Sequence, residues 1–429
     1  MRPAEAEQRL LELELFGMRF GLDRMRRLMT ALGHPQRSFR SIHVVGTNGK
    51  SSTARMTAAI LARHGLRVGT YLSPHLVSYS ERVRIGDSDL TPQEFADAIE
   101  RALRAAQQVD RVAAADDRVT QFELLTAAAY SELQRRDVEV AVIEAGLGGR
   151  YDATNVIPSS VTVLTGVGLE HTRWLGSTIT AIAREKLDVL QPGTTLVLGP
   201  GMHPEALAVA DAVAAQRGAR IVRAESDPHA HVGALGTFQR RNFAVARAAA
   251  SALLGELDEH AVVAAARDVR VPGRLQIVGE RPLTLLDGAH NPDGIRALAE
   301  SLPEIVGSAP PAAAQGPADR ARRLVAVVSI LDDKDAAAML GVLAPLCDAL
   351  VLTASHNPRV LPPPTLLSLL RQSGAEVEAQ IVREPHAALA RARELAGPEG
   401  VVVATGSLYL IADLSSEPAL DGRRRASIL

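Results

Sequence analysis

Short runs of β-branched and aliphatic residues alternate with alanine-rich stretches along almost the whole chain. SIHVVG (41–46), RVGTYL (67–72), VEVAVIEAG (138–146), SVTVLTGV (160–167) and TTLVLG (194–199) predict strands. SSTARMTAAILARHG (51–65) and TQFELLTAAAYSELQRR (120–136) predict helices between them. This alternation predicts a mostly parallel sheet with helices on both faces. The strand runs do not alternate cleanly between apolar and polar, which agrees with burial on both sides. The rhythm restarts at PLTLLDG (282–288), RLVAVVSI (323–330), DALVLTA (348–354) and GVVVATG (400–406), predicting a second, smaller α/β domain. In VRVPGRLQIVG (269–279) a Pro-Gly pair punctuates a helix end and sets the boundary near residue 271, giving domains 1–270 and 271–429. The Pro-, Ala- and Gly-rich GSAPPAAAQGPAD (307–319) reads as a surface loop, and the tail DGRRRASIL as frayed.

Composition narrows the class. The 429 residues suffice for two or three domains, and 47% hydrophobic with 22% charged residues fits a globular chain. Aromatics are 3%, so the cores must be built from Ala, Val and Leu. The balance of 47 basic and 49 acidic residues gives no global field for a nucleic-acid backbone. The single Cys347 excludes an intramolecular disulfide and a cysteine metal cluster. The N-terminal MRPAEAEQRLLELELF carries charge throughout and lacks the apolar core of a secretory signal. No apolar run reaches the ~18 residues of a membrane span, so the expectation is a cytoplasmic protein without a membrane partner. The basic residues are almost all arginine: Lys50, Lys186 and Lys334 are the three lysines. Each lies inside a recognisable motif, and a lysine suits a position that calls for a compact ammonium or a modifiable amine rather than a planar fork.

The first motif is HVVGTNGKSSTARM (43–56). A buried strand ends at Gly46, a short loop holding Thr47, Asn48 and Gly49 follows, and a helix begins near Ser51. Backbone N–H groups and the helix N-terminus then face an anion, with Lys50 as a point charge, Ser51 as a hydroxyl for Mg²⁺ and Ser52 in the first turn. Val44 stands where the standard phosphate loop has its first glycine, so Gly46 and Gly49 bracket a shortened loop. A nucleoside triphosphate is the expected ligand; the reaction is not specified. Glu144 ends a buried strand, where open α/β sheets place ligands, and beside a triphosphate its carboxylate would hold magnesium. Spacing alone reads His171 as a structural hydrogen-bonder, Lys186 as an exposed partner of Glu185, and Lys334 as a surface ion pair. DGAHNP alone could be a strand-ending turn.

The shortened loop resembles that of the Mur ligase superfamily. The match narrows to the folylpolyglutamate synthase and dihydrofolate synthase family through FGMRFGLDRM (16–25), YLSPHLVSYSERVRI (71–85), EAGLGGRYDATNV (144–156) and LEHTRWLGSTITAIAREK (169–186). It continues through PGRLQ (272–276), DGAHNPDG (287–294), LDDKD (331–335) and TGSLYLIADL (405–414). The resemblance implies a phosphate-loop domain followed by a Rossmann-like glutamate-ligase domain, acting together as a monomer. It implies ATP and two Mg²⁺ ions held through Ser51, Ser73, Glu144 and His171, and a carbamylated Lys186. In GTFQRRNFAVA (236–246) it makes Asn242 the adenine contact. Arg274 would reach the triphosphate, Asp287 the ribose, and His290 with Ser407 the incoming glutamate. Phe122 and Asp152 match positions beside the pterin ring, although Phe122 on an amphipathic helix reads equally as core packing. Glu170 stands where relatives carry Asp, EKLD where they read EKAG, and Phe238 and Phe243 also depart from the usual pattern.

The implied chemistry is amide ligation: a folate or dihydropteroate carboxylate attacks the ATP γ-phosphate, and the amine of L-glutamate displaces phosphate from the acyl phosphate. Like charges at ~4 Å and an effective dielectric near 20 cost about 4 kcal/mol per pair, which Lys50, Arg274 and magnesium would offset. Catalysis then rests on positioning and electrostatics, with no protein nucleophile. Three other readings compete. A cell-wall Mur ligase would need an additional N-terminal substrate domain, for which 45 residues before Gly46 are too few. A nucleotide-dependent switch would need no DGAHN and TGSLYL domain. A phosphate-loop kinase would consume no amino acid.

Overall fold

A computed structural model describes residues 1–13, 21–111, 117–307 and 322–416. Residues 16–20 of the first family motif, residues 308–319 of the proposed loop and the 421–429 tail lie outside the described residues. The chain divides into two compact units. Met1–Gly233 joins Arg240–Val269 in the first, and Ala234–Gln239 joins the residues from Arg270 onward in the second.

The first unit holds eight strands: β1 (Arg40–Val45), β2 (Val68–Tyr71), β3 (Val83–Ile85), β4 (Ser88–Asp89), β5 (Val140–Glu144), β6 (Val161–Leu164), β7 (Thr195–Leu198) and β8 (Arg220–Arg223). Their order is β4-β3-β2-β5-β1-β6-β7-β8. The run from β2 to β8 is parallel, while β3 and β4 pair antiparallel at one edge. Its helices are α1 (Pro3–Leu11), α2 (Asp23–Ala31), α3 (Lys50–Arg63), α4 (Pro92–Asp110), α5 (Gln121–Arg135), α6 (Thr172–Leu175), α7 (Ile179–Leu187), α8 (Pro204–Arg217) and α10 (Glu259–Asp268). Between the last two runs α9 (Thr237–Leu254), whose first three residues group with the second unit.

Alternation along each strand sends neighbouring side chains to opposite faces. Tyr71, Ala141 and Ile143 pack under α1, α2, α4 and α5, and Val45, Leu164 and Leu198 pack under α7 and α8. The register sets His43 between Ile143 and Thr162, and Val45 beside Leu164, so both clusters cover one face. Helix α3 covers β2 and β5, with α10 against it. The chain leaves β1 toward β2 and leaves β6 toward β7, in opposite directions. Their carboxyl ends therefore flank a topological switch point, where such sheets bind ligands.

The second unit carries β9 (Gln276–Glu280), β10 (Leu283–Leu286), β11 (Leu324–Val328), β12 (Ala349–Leu352), β13 (Glu378–Ile381) and β14 (Val401–Thr405), in the order β13-β12-β11-β14-β10-β9. All pairs are parallel except β9 with β10. Helices α11 (Pro292–Val306), α12 (Ala336–Leu343) and α13 (Pro363–Gln372) share one core with Leu285, Ala326 and Leu350. Helix α14 (Pro385–Ala396) packs on β11, β12 and β14, and α15 (Leu408–Leu414) follows β14.

The nine strands expected from the hydrophobic pattern are all present, within two residues of the expected bounds at most ends. Strands β3, β4, β8, β9 and β13 carry no such pattern and lie at or beside sheet edges. Edge strands face water on one side and are shielded from aggregation by charge, which erases the apolar run a buried strand shows. Arg84 and Asp89 pair across β3 and β4, and arginines open and close β8. Among the described residues no helix is long and apolar enough to cross a membrane, and Cys347 is buried.

Candidate functional site

The site in the first unit grows from the carboxyl end of β1. Gly46 (φ +151°) and Gly49 (φ +83°) bracket the loop, and Gly49 caps α3. A Cβ on Gly46 would lie 1.9 Å from Thr165 Oγ1, and one on Gly49 would lie 2.5 Å from Asn242 Oδ1. Both positions thus require glycine, one for close approach and one for the left-handed turn. The loop is clamped by the segment after β6. Thr47 N donates to Gly166 O (2.9 Å), Gly168 N donates to Thr47 Oγ1 (3.0 Å), and Thr165 Oγ1 donates to Asn48 O (2.7 Å). The first-turn N–H groups of α3, from Lys50, Ser51 and the buried Ser52, have no acceptor within the helix and present its positive end. Lys50 Nζ donates to Thr47 O at 3.1 Å, so its charge stays over the same loop.

Glu144, 1% exposed at the end of β5, is brought to that loop by the parallel register, which sets it beside Val44. Its Oε1 accepts from Ser51 Oγ (2.9 Å) and its Oε2 from the backbone N–H of Ser73 (3.1 Å). The buried Ser73 hydroxyl has no hydrogen-bond partner among the described atoms. A carboxylate held by the Ser51 hydroxyl and the Ser73 backbone, on a residue whose own buried hydroxyl has no partner, fits a hard divalent cation. Among the described residues no three His, Cys, Asp or Glu side chains are grouped to hold a metal alone. A magnesium here would therefore take phosphate and water oxygens for its remaining positions, its usual habit.

Lys186 enters from α7 and is buried, not the exposed partner of Glu185 that spacing alone suggests. Its Nζ donates to Gly46 O at 2.8 Å. Burial, reinforced by the positive charge of Lys50, pushes its pKa down to about 7, so near neutrality a large share of these amines carry no proton. His171 caps the short helix α6 in a left-handed conformation (φ +51°), is 40% exposed, and stands 4.0 Å from Glu170. It lies on the same post-β6 segment that clamps the loop.

Around Asp152 the arrangement is tighter than its expected ligand role suggests. Its Oδ2 accepts from Leu147 N (2.8 Å), and its Oδ1 accepts from Thr154 N (3.0 Å) and the Thr154 hydroxyl. Burial nonetheless raises its pKa, the desolvation outweighing these donors. Phe122, half-buried near the start of α5, stacks toward Tyr71 (centroids 6.2 Å apart) and lies over Gly146, where a Cβ would come within 2.5 Å of its ring.

In the second unit Asp287 is buried at the end of β10. It accepts from Leu275 N and Ala289 N, both at 2.9 Å, and burial raises its pKa against the lowering effect of Arg274. Arg274 packs so closely on Gly288 that a Cβ there would touch its guanidinium, and Nη1 donates to Gly273 O at 3.0 Å. His290 Nδ1 lies 2.8 Å from Gly288 O. Ser407 caps α15, and Gly406 N donates to Ala289 O at 2.9 Å, which joins the DGAHN and TGS loops.

The structure thus brings Gly46–Ser52, Ser73, Glu144, Lys186 and Asn242 together in one unit, and Arg274, Asp287, His290 and Ser407 together in the other. Two organising residues escaped the sequence reading. Thr165 bridges the loop as described, and Glu81 accepts from the N–H groups of Leu76, Val77 and Ser78 at 2.9, 2.9 and 2.6 Å, fixing the turn after Ser73. The S-x-x-E spacing of Ser78 and Glu81 is a capping-box signal that could have found the second.

Known proteins resemble this chain along most of its length. A protein-family model described as Mur ligase, glutamate ligase domain, matches residues 273–408. The chain is 34% identical over 416 residues to folylpolyglutamate synthase of Lacticaseibacillus casei, covering 89% of this chain and 91% of that protein. The Mycobacterium tuberculosis folylpolyglutamate synthase, solved with ADP and AMPPCP, superposes with a TM-score of 0.86 at 30% identity, covering 97% of this chain and 100% of that one. The bifunctional folylpolyglutamate synthase/dihydrofolate synthase of Yersinia pestis, solved with AMPPNP and a Mn ion, gives 0.82 at 29% identity, covering 96% and 97%.

Proposed function

The chain belongs to the folylpolyglutamate synthase/dihydrofolate synthase family of the Mur ligase superfamily. From that premise we infer that it is an ATP-dependent carbon–nitrogen ligase. It joins the amine of L-glutamate to the carboxyl group of a folate, of dihydropteroate, or of both, and releases ADP and phosphate. The observation that carries this reading is the Ser51–Glu144–Ser73 cluster set against a glycine-bracketed helix N-terminus.

The loop amides and Lys50 would hold the β- and γ-phosphates, Ser51, Ser73, Glu144 and His171 would hold magnesium, and Asn242 would take the adenine. Bound magnesium supplies Lewis-acid stabilisation of the charge that develops on the transferred phosphoryl group. Arg274 is assigned to the triphosphate and Asp287 to the ribose, Phe122 and Asp152 to the pterin end, and His290 and Ser407 to glutamate. The substrate carboxylate attacks the γ-phosphorus, ADP leaves, and the glutamate amine displaces phosphate as its proton departs. No side chain forms a covalent bond.

Lys186 is assigned as a carbamate. Carbamylation needs a neutral amine to attack CO₂ and release a proton, and an amine with a pKa near 7 meets that need. The product places a negative charge where Lys50 otherwise repels a cation. The location this reading assigns to the reaction is the cytoplasm. The active unit in this reading is a monomer.

The test is ADP release with ATP, Mg²⁺ and L-glutamate, comparing dihydropteroate with tetrahydrofolate. Release that needs both glutamate and one of the acids supports the reading. Release indifferent to glutamate overturns it.

A further inference from the structure

Thr154 is fully buried, stands two residues past Asp152 and has no role in the assignments above. It is nonetheless a junction of hydrogen bonds. Its hydroxyl donates to Asp152 Oδ1, which also accepts from its backbone N–H at 3.0 Å. His43 Nε2 lies 2.8 Å from the same hydroxyl, and the Tyr130 hydroxyl donates to Thr154 O at 3.1 Å. A threonine hydroxyl has one proton to give, and a carboxylate can only accept. The proton therefore goes to Asp152, and His43 donates from Nε2. The other ring nitrogen, Nδ1, is buried with no hydrogen-bond partner among the described atoms, which suits a bare nitrogen better than an orphaned N–H. Burial pushes the imidazole pKa down to about 3, so His43 stays neutral and keeps this one donor.

The partners of Thr154 come from separate parts of the unit. His43 lies on β1, the strand that runs into the phosphate loop. Tyr130 lies on α5, the helix that carries Phe122. The circuit closes on its other side through a turn. Phe122 packs on Gly146, and the next residue, Leu147, donates its N–H to Asp152 Oδ2 at 2.8 Å. The ring of Phe122 and the carboxylate of Asp152 are thus linked twice, once through Thr154 and once through the Gly146–Leu147 turn. His43 ties both to the strand that ends at the phosphate loop. A flat heterocycle needs its stacking face and its acceptor at a fixed separation, while the acid at its far end must still reach the γ-phosphate.

We propose that Thr154, held by His43 and Tyr130, is a positioning residue that fixes Asp152 against Phe122 as one slot for the pterin end of the acid. This rests on the assignment of Phe122 and Asp152 to that end. Thr154 and His43 act through Asp152, touch neither phosphate nor metal, and so set affinity for the acid and not the rate of phosphoryl transfer.

The experiment is steady-state kinetics of the full-length enzyme with ATP, Mg²⁺, L-glutamate and whichever of dihydropteroate and tetrahydrofolate the wild type turns over. Thr154→Val keeps the shape of the side chain and deletes its hydroxyl. It is expected to raise KM for the acid about tenfold, with KM for ATP and glutamate within about twofold and kcat within about threefold of wild type. Thr154→Ser, which retains the hydroxyl, should lie within about threefold of wild type throughout. His43→Leu should raise the acid KM about fivefold, and the double variant no further than Thr154→Val alone, because both break one chain of hydrogen bonds. Tyr130→Phe removes a single oxygen and carries the test if either of these fails to fold; its acid KM should rise about threefold. An unchanged acid KM in Thr154→Val or Tyr130→Phe, a rise equal for all three substrates, or His43 and Thr154 effects that multiply in the double variant overturns the proposal. Asp152→Asn tests the premise separately: an acid KM untouched there would remove Asp152 from the pterin end, and the proposal with it. A wild type indifferent to glutamate would instead sink the ligase reading itself.

Discussion

Replacing Lys186 by methionine keeps the length of the side chain and removes its titration. In the wild type the folded chain releases the Lys186 proton near pH 7, whereas the unfolded chain holds it up to the ordinary lysine value of 10.5. Between those values the unfolded chain binds one proton more, so stability rises with pH across this window and the burial penalty is felt in full below pH 7. At about 1.36 kcal/mol per pH unit, the wild type should gain about 2–3 kcal/mol on Lys186→Met between pH 6 and pH 9. All other titrating groups are common to both proteins and cancel in the difference. The assay is urea unfolding at half-unit pH steps, without nucleotide or metal and in CO₂-depleted buffer so that the amine stays unmodified. Curves that converge toward high pH support a buried amine hydrogen-bonded to Gly46 O. Parallel curves would refute it, because an exposed lysine titrates alike in both states.

Lys50→Ala removes the cation over the loop and is expected to abolish ADP release, and Lys186→Arg, which cannot form a carbamate, to impair it; wild-type rates in either would contradict its assignment. Gly49→Ala combines a left-handed conformation costing about 1–2 kcal/mol with a Cβ 2.5 Å from Asn242 Oδ1. Its nucleotide affinity, measured by calorimetry, should fall about tenfold, and an unaltered Kd would contradict the placement of the loop. Glu144→Gln should raise the magnesium needed for half-maximal rate about 10-fold or more, read from a magnesium titration of turnover. An unshifted titration would remove Glu144 from the metal site.

The phosphate loop was legible because its information is local. Two glycines, a lysine and a serine within six residues between a buried strand and a helix have few other uses. Glu144 was legible for a related reason, since a carboxylate ending an apolar strand must find a partner. Asp152 and Asp287 show where legibility stops. Each lies in a glycine-rich turn, and there the same residue can meet a ligand or accept backbone N–H groups. Both carboxylates accept such groups here, at 2.8–3.0 Å. The edge strands β8, β9 and β13 were hidden because partial exposure removes the apolar run. Thr165 and Asn48 lie 117 positions apart and meet through the parallel register of β1 and β6, which no local pattern encodes.

Whether the acid is activated by phosphate can be read from the fate of a single oxygen. The substrate acid is labelled with ¹⁸O in its carboxylate, turned over with ATP, Mg²⁺ and L-glutamate, and the released phosphate is analysed by mass spectrometry. Attack of the carboxylate on the γ-phosphorus, followed by displacement by the amine, carries one labelled oxygen into each phosphate. Phosphate free of label, with amide still formed, would contradict the acyl-phosphate route.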